Sequence, residues 1–244
     1  MPRARNLYDP TSPDPYKLSR SKLWDFAQCP RCFYLDRRLG ISRPGGPAFT
    51  LNLAVDTLLK REFDAFRENG RPHALMTQHS INATPYRHPD MEPWRNNFKG
   101  IQHHHVPTNL LITGAPDDIW QDVDSGDLIV VDYKATSTSR EVTLDTKYRE
   151  GFKRQLEIYQ WLLRRNGFPV SPRAYVVYAN AQTYSGRFDS RLRFEMSVLS
   201  HDGDDRWVEP CVIKAHGCLD ADEIPPKAAG CAYCEYIDAV MNAN

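Results

Sequence analysis

The sequence contains no long apolar run, no excess of charge of either sign, and no internal repeat or low-complexity tract. No stretch approaches the ~20 apolar residues that a membrane-spanning helix needs, which argues against an integral membrane protein. The first 17 residues are polar and rich in proline, unlike a secretory signal or a membrane anchor. We therefore predict a cytoplasmic protein with no membrane partner.

The chain also lacks the positive net charge of a general nucleic-acid coat protein, because lysine plus arginine equals aspartate plus glutamate at 31 each. Nucleic-acid binding must then rest on local basic patches. Segments 20–43 and 147–165 each contain six basic residues against two acidic ones, although such patches are often only solvated surface. The candidate nucleic-acid-binding residues in them are Arg20, Lys22, Arg31, Arg37, Arg38, Lys153 and Arg154.

Hydrophobic periodicity indicates a mixture of helices and strands. Apolar residues at helical spacing predict helices over 48–67 and 149–165, and Ser19 or Ser21 can cap a further helix that ends near Pro30. Strands are predicted at 109–113, 117–121, 127–135, 173–180 and 191–199. Segment 70–108 has the composition of a loop with one strand. This order predicts an α/β (α+β) domain built around a mixed sheet.

Four of the six cysteines form two Cys-x-x-Cys pairs near opposite ends of the chain, Cys29 with Cys32 and Cys231 with Cys234. Without a secretory signal, a metal site is favoured over a disulfide framework. Four thiolates suit tetrahedral Zn²⁺ or an iron–sulfur cluster, and the spacing does not separate the two. Neither pair is a complete site alone, so we predict that both converge on one centre.

The predicted domain organisation follows from these elements and from the position of the cysteines. An irregular leader occupies 1–17, a single domain occupies 18–238, and a tail occupies 239–244. Within the domain, segments 18–46 and 204–238 form a small lobe that the cysteines hold together. A 244-residue chain is long enough for one sizeable core with such an added element.

Two aspartates and a lysine accompany the clearest strand pair. Asp132 and Lys134 are two residues apart and so project from the same face of a strand. Asp132 ends the apolar run 128–131, where a charge is costly to bury unless it is paired or bound to metal. Hairpin pairing would bring Asp117 close to it. Two carboxylates and the carbonyl of Tyr133 make an oxygen-rich site suited to Mg²⁺ or Mn²⁺, and a simple Asp–Lys ion pair is the alternative.

Three short motifs in this order resemble those of RecB-type PD-(D/E)XK nucleases. They are Gly114-Ala-Pro-Asp117, Asp132-Tyr-Lys134 and, on the next helix, Gln155-Leu-Glu-Ile-Tyr159. The resemblance implies a restriction-endonuclease-like core, in which helices flank a central mixed sheet. It also implies a metal-dependent deoxyribonuclease that acts as an exonuclease on single-stranded DNA ends.

The resemblance further implies a role for each site residue. Asp117 and Asp132 bind Mg²⁺ or Mn²⁺, Lys134 assists the attacking water, and Gln155 with Tyr159 supports the site from the neighbouring helix. Such enzymes often carry a metal-binding histidine on the helix before the first catalytic strand. This chain has no histidine there, and the nearest match is Asp56, an additional candidate ligand.

The cysteines resemble the split [4Fe–4S] staple of the RecB-like branch that includes the CRISPR-adaptation exonucleases and the AddB nuclease. In that branch one cysteine precedes the nuclease core and three follow it. No cysteine follows Cys234 here, so Cys32 is the first choice for the missing ligand, with Cys211 or Cys218 as weaker substitutes. The resemblance favours [4Fe–4S] over Zn²⁺ and implies protein partners in DNA repair or CRISPR adaptation.

A competing class of function is a non-catalytic nucleic-acid-binding or assembly protein that retains the nuclease fold and the metal staple. The intact trio of Asp117, Asp132 and Lys134 argues against it, because a binding module needs none of the three. A metal-dependent cleavage assay separates the two classes.

Overall fold

The structure is a computed structural model that describes residues 6–46, 49–146, 149–183, 187 and 189–243. The chain divides into two compact units. The first, called the cysteine unit below, comprises Met1–Pro47, Gln102–Thr113 and Arg206–Asn244, and the second, called the sheet unit, comprises Ala48–Ile101 and Gly114–Asp205. None of the described helices is long and apolar enough to cross a bilayer.

In chain order the helices and strands are β1 (Tyr16–Ser19), α1 (Arg20–Gln28), α2 (Pro30–Arg37), α3 (Thr50–Asn69), α4 (Ala74–Gln78), β2 (Ala83–Pro85), α5 (Met91–Arg95), β3 (Ile101–His105), β4 (Leu110–Gly114), β5 (Asp118–Asp122), β6 (Leu128–Thr136), α6 (Glu150–Arg165), β7 (Arg173–Ala181), β8 (Phe194–Asp202), α7 (Val208–Asp220) and α8 (Ala232–Met241). The predicted long helices and hairpin strands are confirmed within a few residues. Segment 70–108 has more secondary structure than the predicted loop with one strand, because it contains α4, β2, α5 and β3.

Among the described residues of the sheet unit, five strands form one sheet in the order β2-β5-β6-β7-β8. Strands β6 and β7 are parallel, while the other neighbours are antiparallel, so the predicted mixed sheet is confirmed. Helix α6 lies between β6 and β7 in sequence, as a parallel connection requires. Gly126 supports the β5–β6 turn with φ +77°, a conformation that residues with a Cβ rarely adopt.

The two faces of β6 have different neighbours because side chains alternate along a strand. Ile129, Val131 and Tyr133 belong to a buried cluster with Leu59 and Phe63 of α3. The leucine and the phenylalanine are four residues apart and therefore share one helix face. The opposite face of β6 carries Asp132 and Lys134, and Gln155 of α6 contacts Asp132 there.

In the cysteine unit, β1, β4 and β3 form a three-stranded sheet in that order among the described residues, and β1 is parallel to β4. Tyr16 and Lys17, predicted as irregular leader, lie in β1. Helix α7 has 13 residues, and α8 continues to Met241, into the predicted tail. The predicted lobe segments 18–46 and 204–238 lie in this unit apart from residues 204 and 205.

Candidate functional site

The β5–β6 hairpin brings the two predicted catalytic aspartates together. Asp118 of β5 is the partner of Val131 on β6, so Asp117 lies beside Asp132. The backbone N–H of Tyr133 donates a hydrogen bond to Asp117 Oδ2 at 2.9 Å and fixes that carboxylate. Strand β6 runs from Leu128 to Thr136, close to the predicted range 127–135, so Asp132 lies in the middle of the strand.

Burial and the neighbouring lysines shift the pKa values of the two aspartates in opposite directions. Asp132 is 1% exposed, and burial raises its pKa to about 7, with Asp117 adding to the rise and Lys134 opposing it. The pKa of Asp117 is lowered in spite of its burial, because Lys60 and Lys134 favour its charged form. Burial also disfavours the Lys134 cation, yet Asp132 and Asp117 outweigh it and raise the pKa of Lys134. Lys134 therefore remains an ammonium ion and forms an ion pair with Asp132.

Helix α6 contacts the site through both residues of its motif. Gln155 Nε2 donates to Asp132 Oδ1 at 2.6 Å and lies 3.1 Å from the hydroxyl of Tyr159. Gly114 allows this close approach, because a Cβ there would be 2.7 Å from Tyr159 Cε1 and 2.8 Å from Leu162 Cδ1. The three motifs that are separate in the sequence thus form one connected set of contacts.

Helix α3 adds Asp56, the predicted additional ligand, and Lys60, which the sequence analysis missed. Lys60 Nζ lies 2.9 Å from Asp56 Oδ2 and 3.1 Å from Asp117 Oδ1. The other oxygen of Asp56, Oδ1, is buried and has no hydrogen-bond partner among the described residues. Burial, followed by the nearby Asp117 charge, raises the pKa of Asp56. The i, i+4 spacing of Asp56 and Lys60 is the sequence signal that could have identified Lys60.

These groups surround a cavity of about 400 Å³, lined among others by Asp56, Lys60, Asp117, Tyr133 and Lys134. Carboxylate and carbonyl oxygens are the ligands that Mg²⁺ and Mn²⁺ prefer. Three carboxylates, those of Asp56, Asp117 and Asp132, share only two ammonium groups, and Asp56 Oδ1 has no partner among the described residues, so the site has a deficit of positive charge. The residues present therefore fit a divalent cation.

A second buried network, also missed in the sequence, supports the hairpin from its other face. Asp118 is fully buried and accepts hydrogen bonds from the hydroxyl of Tyr133 at 2.7 Å and from Nε1 of Trp120 at 3.3 Å. Arg67 of α3 completes the network with an ion pair to Asp118. Because Asp118 and Tyr133 directly adjoin Asp117 and Asp132 in sequence, this network fixes the register on which the acidic pair depends.

The raised pKa of Asp132 leads to a pH prediction. A metal ion that binds its carboxylate must displace the proton, so apparent Mn²⁺ affinity should rise up to ~10-fold per pH unit below pH 7 and level off above about pH 8. Isothermal titration at several pH values measures this, together with proton release on binding. Asp132→Asn is the matched control and should lose the pH dependence. A flat affinity between about pH 5.5 and 8 in the wild type would contradict the assignment.

The structure places most of the predicted nucleic-acid-binding cations next to carboxylates. The ion pairs are Lys22–Asp36, Arg37–Asp36, Lys153–Asp145 and Arg154–Glu157. Arg20, Arg31 and Arg38 are half-buried, and Lys147 of the second basic segment lies outside the described residues. Pairing reduces the positive charge that these groups can offer to phosphates, and their contact with DNA stays a prediction.

The four cysteines of the two pairs converge in the cysteine unit, as predicted. Cys29 and Cys231 are the N-cap residues of α2 and α8, and Cys32 and Cys234 lie in the first turns of the same helices. The four sulfur atoms lie within 4.8 Å of one another, with Cys32 Sγ at 3.6 Å from both Cys231 Sγ and Cys234 Sγ. All four are free thiols, whereas Cys211 and Cys218 lie on α7 outside this group.

The environment shifts the cysteine pKa values in both directions: it lowers the pKa of Cys29, whereas burial raises the pKa values of Cys32 and Cys234. Helix N-termini carry partial positive charge and lower thiol pKa values. Although burial opposes it, hydrogen bonds from backbone groups of Ala228 and Cys32 lower the pKa of Cys29 to about 7. Burial raises the pKa of Cys32, and the guanidinium of Arg43 acts in the opposite direction. The set therefore has the chemistry of a soft metal site in which bound metal would replace the remaining protons.

Comparison with known proteins agrees with this geometry. The family model described as "PD-(D/E)XK nuclease superfamily" matches residues 51–239, which include the candidate active site and the second cysteine pair. No curated protein matches the chain at a significant level.

Proposed function

The chain belongs to the PD-(D/E)XK nuclease superfamily, and we propose on this basis that it hydrolyses DNA phosphodiester bonds with Mg²⁺ or Mn²⁺ as an exonuclease on single-stranded ends. The observation that carries the proposal is the connected set of contacts among the three motifs, beside a cavity that Asp56, Asp117 and Lys134 help to line. Membership implies a metal-dependent nuclease and a nucleic-acid substrate. The preference for DNA ends comes from the resemblance to RecB-type enzymes.

Each site residue has a role that its contacts support. Asp117, Asp132, the Tyr133 carbonyl and Asp56 would hold the cation, which supplies Lewis-acid polarisation of the phosphodiester and a lower pKa for a nucleophilic water. Lys134 is kept protonated by Asp132 and Asp117, so it donates hydrogen bonds and neutralises charge on the phosphoryl oxygens but cannot accept a proton. Gln155 orients Asp132, and Tyr159 holds Gln155 in place.

A cleavage assay on end-labelled DNA tests the proposal. Linear single-stranded DNA should be degraded in Mn²⁺ or Mg²⁺ and remain intact in chelator, while a circular copy of the same strand should survive because it has no ends. Double-stranded DNA and RNA of the same sequence serve as competing substrates. Cleavage of the circular strand would show that the enzyme is an endonuclease and not an exonuclease. DNA binding without any cleavage would favour the binding or assembly protein.

For the cysteine centre we propose a single tetrahedral ion such as Zn²⁺. With Zn–S bonds of about 2.3 Å, the sulfur atoms around one ion are separated by about 3.8 Å. In a [4Fe–4S] cluster each thiolate binds a different iron, which separates the sulfurs by roughly 6 Å. The close sulfur pairs lie at 3.6 to 3.8 Å, which supports the single ion over the cluster that the resemblance favours.

A further inference from the structure

We propose that Lys60 is a resident counter-ion that occupies the metal position of the active site and must be displaced by the divalent cation. The inference rests on the proposed nuclease function, because it concerns the metal of that same site. Its consequence is that Lys60 sets the affinity for metal, a property to which neither motif resemblance nor family membership assigns a residue.

The contacts of Lys60 carry the first step. Its Nζ bridges Asp56 Oδ2 and Asp117 Oδ1 at 2.9 and 3.1 Å. These oxygens belong to two of the candidate ligands, on α3 and immediately before β5. Mg²⁺ binds carboxylate oxygens at about 2.0–2.1 Å, so an ion held by both oxygens would lie between them, where the ammonium is. The two cations therefore exclude each other.

The charges in the site also favour competition between Lys60 and the metal ion. The site combines three carboxylates, Asp56, Asp117 and Asp132, with two ammonium groups, Lys60 and Lys134. The Lys60 ammonium is ion-paired with both Asp56 and Asp117, so a positive charge already lies between these two candidate ligands. A divalent ion must therefore compete with a charge that is already bound.

The Lys60 side chain is free to move out of the site. The Lys60 side chain is 22% exposed and lines the open cavity, so its ammonium can move to water without unfolding α3. A lysine ammonium is strongly hydrated and sits on a flexible four-carbon stem, which makes such a move inexpensive. Lys134 is similarly exposed and lines the same cavity, but it is paired with the nearly fully buried Asp132 and its Nζ lies over the Phe152 ring at 4.9 Å. Lys60 is thus the cation that leaves.

The test is a Mn²⁺ titration of metal-free protein by calorimetry, with free Mn²⁺ checked by electron paramagnetic resonance. Lys60→Met should lower the Kd for Mn²⁺ by about 10-fold or more, because it removes the competing charge at nearly constant side-chain length. Lys60→Gln, which keeps a hydrogen-bond donor, should act in the same direction. Arg61→Met is the matched control: it removes one charge from an exposed position of the same helix and should leave the Kd unchanged.

Thermal melting provides a second readout that does not depend on activity. Without metal, Lys60→Met should melt below the wild type because Asp56 and Asp117 lose their counter-ion, and Mn²⁺ should raise its melting temperature more than that of the wild type. Unchanged or weakened Mn²⁺ binding by folded Lys60→Met and Lys60→Gln would overturn the proposal. A wild type that binds Mn²⁺ but cleaves nothing would instead overturn the nuclease function and leave the role of Lys60 intact.

Discussion

Asp132→Asn is expected to reduce metal-dependent cleavage by ~10³-fold or more, equivalent to about 4 kcal/mol of transition-state stabilisation. The substitution keeps the shape of the side chain but removes the charge that would bind the cation and pair with Lys134. The asparagine carbonyl oxygen can still accept the hydrogen bond that the Gln155 amide donates to Asp132 Oδ1, so the contact with α6 is retained. The measurement is the initial rate of release of labelled nucleotides from linear single-stranded DNA.

The fold of this variant can be checked independently. The folded pKa of Asp132 is raised to about 7, above the ordinary value of 3.8, so its ionisation destabilises the metal-free fold as pH rises between these two values. Asp132→Asn should therefore melt at or above the wild-type temperature at about pH 8 in chelator. Asp124→Asn, at an exposed position of the same hairpin, is the matched control and should retain full activity. Wild-type activity in folded Asp132→Asn would refute the site.

Cys32→Ser is expected to release the structural metal and to destabilise the protein by about 3 kcal/mol or more, a fall of about 6–12 °C in melting temperature. Cys32 Sγ lies 3.6 Å from the sulfurs of both Cys231 and Cys234, which are 199 and 202 positions later in the chain. Its loss therefore breaks a contact that joins two distant segments. The control is Cys218→Ser, a half-buried cysteine outside the cluster, which should keep both metal and stability.

Elemental analysis of the same preparations decides what the centre contains. One zinc per wild-type chain, absent from Cys32→Ser, is the expected result. About four iron atoms per chain with a brown colour would show the [4Fe–4S] cluster that the resemblance favours. Full retention of metal by Cys32→Ser would contradict the four-cysteine set itself.

Much of the candidate site could be predicted because its signals are local. The two-residue period of a strand places Asp132 and Lys134 together, and the i, i+4 spacing of a helix does the same for Gln155 and Tyr159. The hairpin turn brings in Asp117 from only 15 positions before Asp132. The Cys-x-x-Cys spacing identifies the two cysteine pairs. Their convergence on one centre was predicted because each pair alone supplies only two of the four ligands of a metal site.

The features that sequence reasoning missed depend on long-range packing. Arg67 and Asp118 are 51 positions apart, and nothing in either segment shows that they pair. Strand β1 is short and gains its identity only from parallel pairing with β4. The i, i+4 spacing relates Lys60 to Asp56, but only the fold shows that Asp117 lies beside it.

The position of the cysteine pairs at either end of the sequence also determines when the centre can form during synthesis. Cys231 is made 199 residues after Cys32, which corresponds to about 10–40 s of translation at ~5–20 residues per second. Throughout that interval the thiols of Cys29 and Cys32 have no cysteine partners from the second pair. All described strands of the sheet unit are made before Cys231, because the last of them, β8, ends at Asp202. A metal ion that binds all four thiolates can therefore be taken up only after Cys234 has been made, and until then Cys29 and Cys32 are open to oxidation.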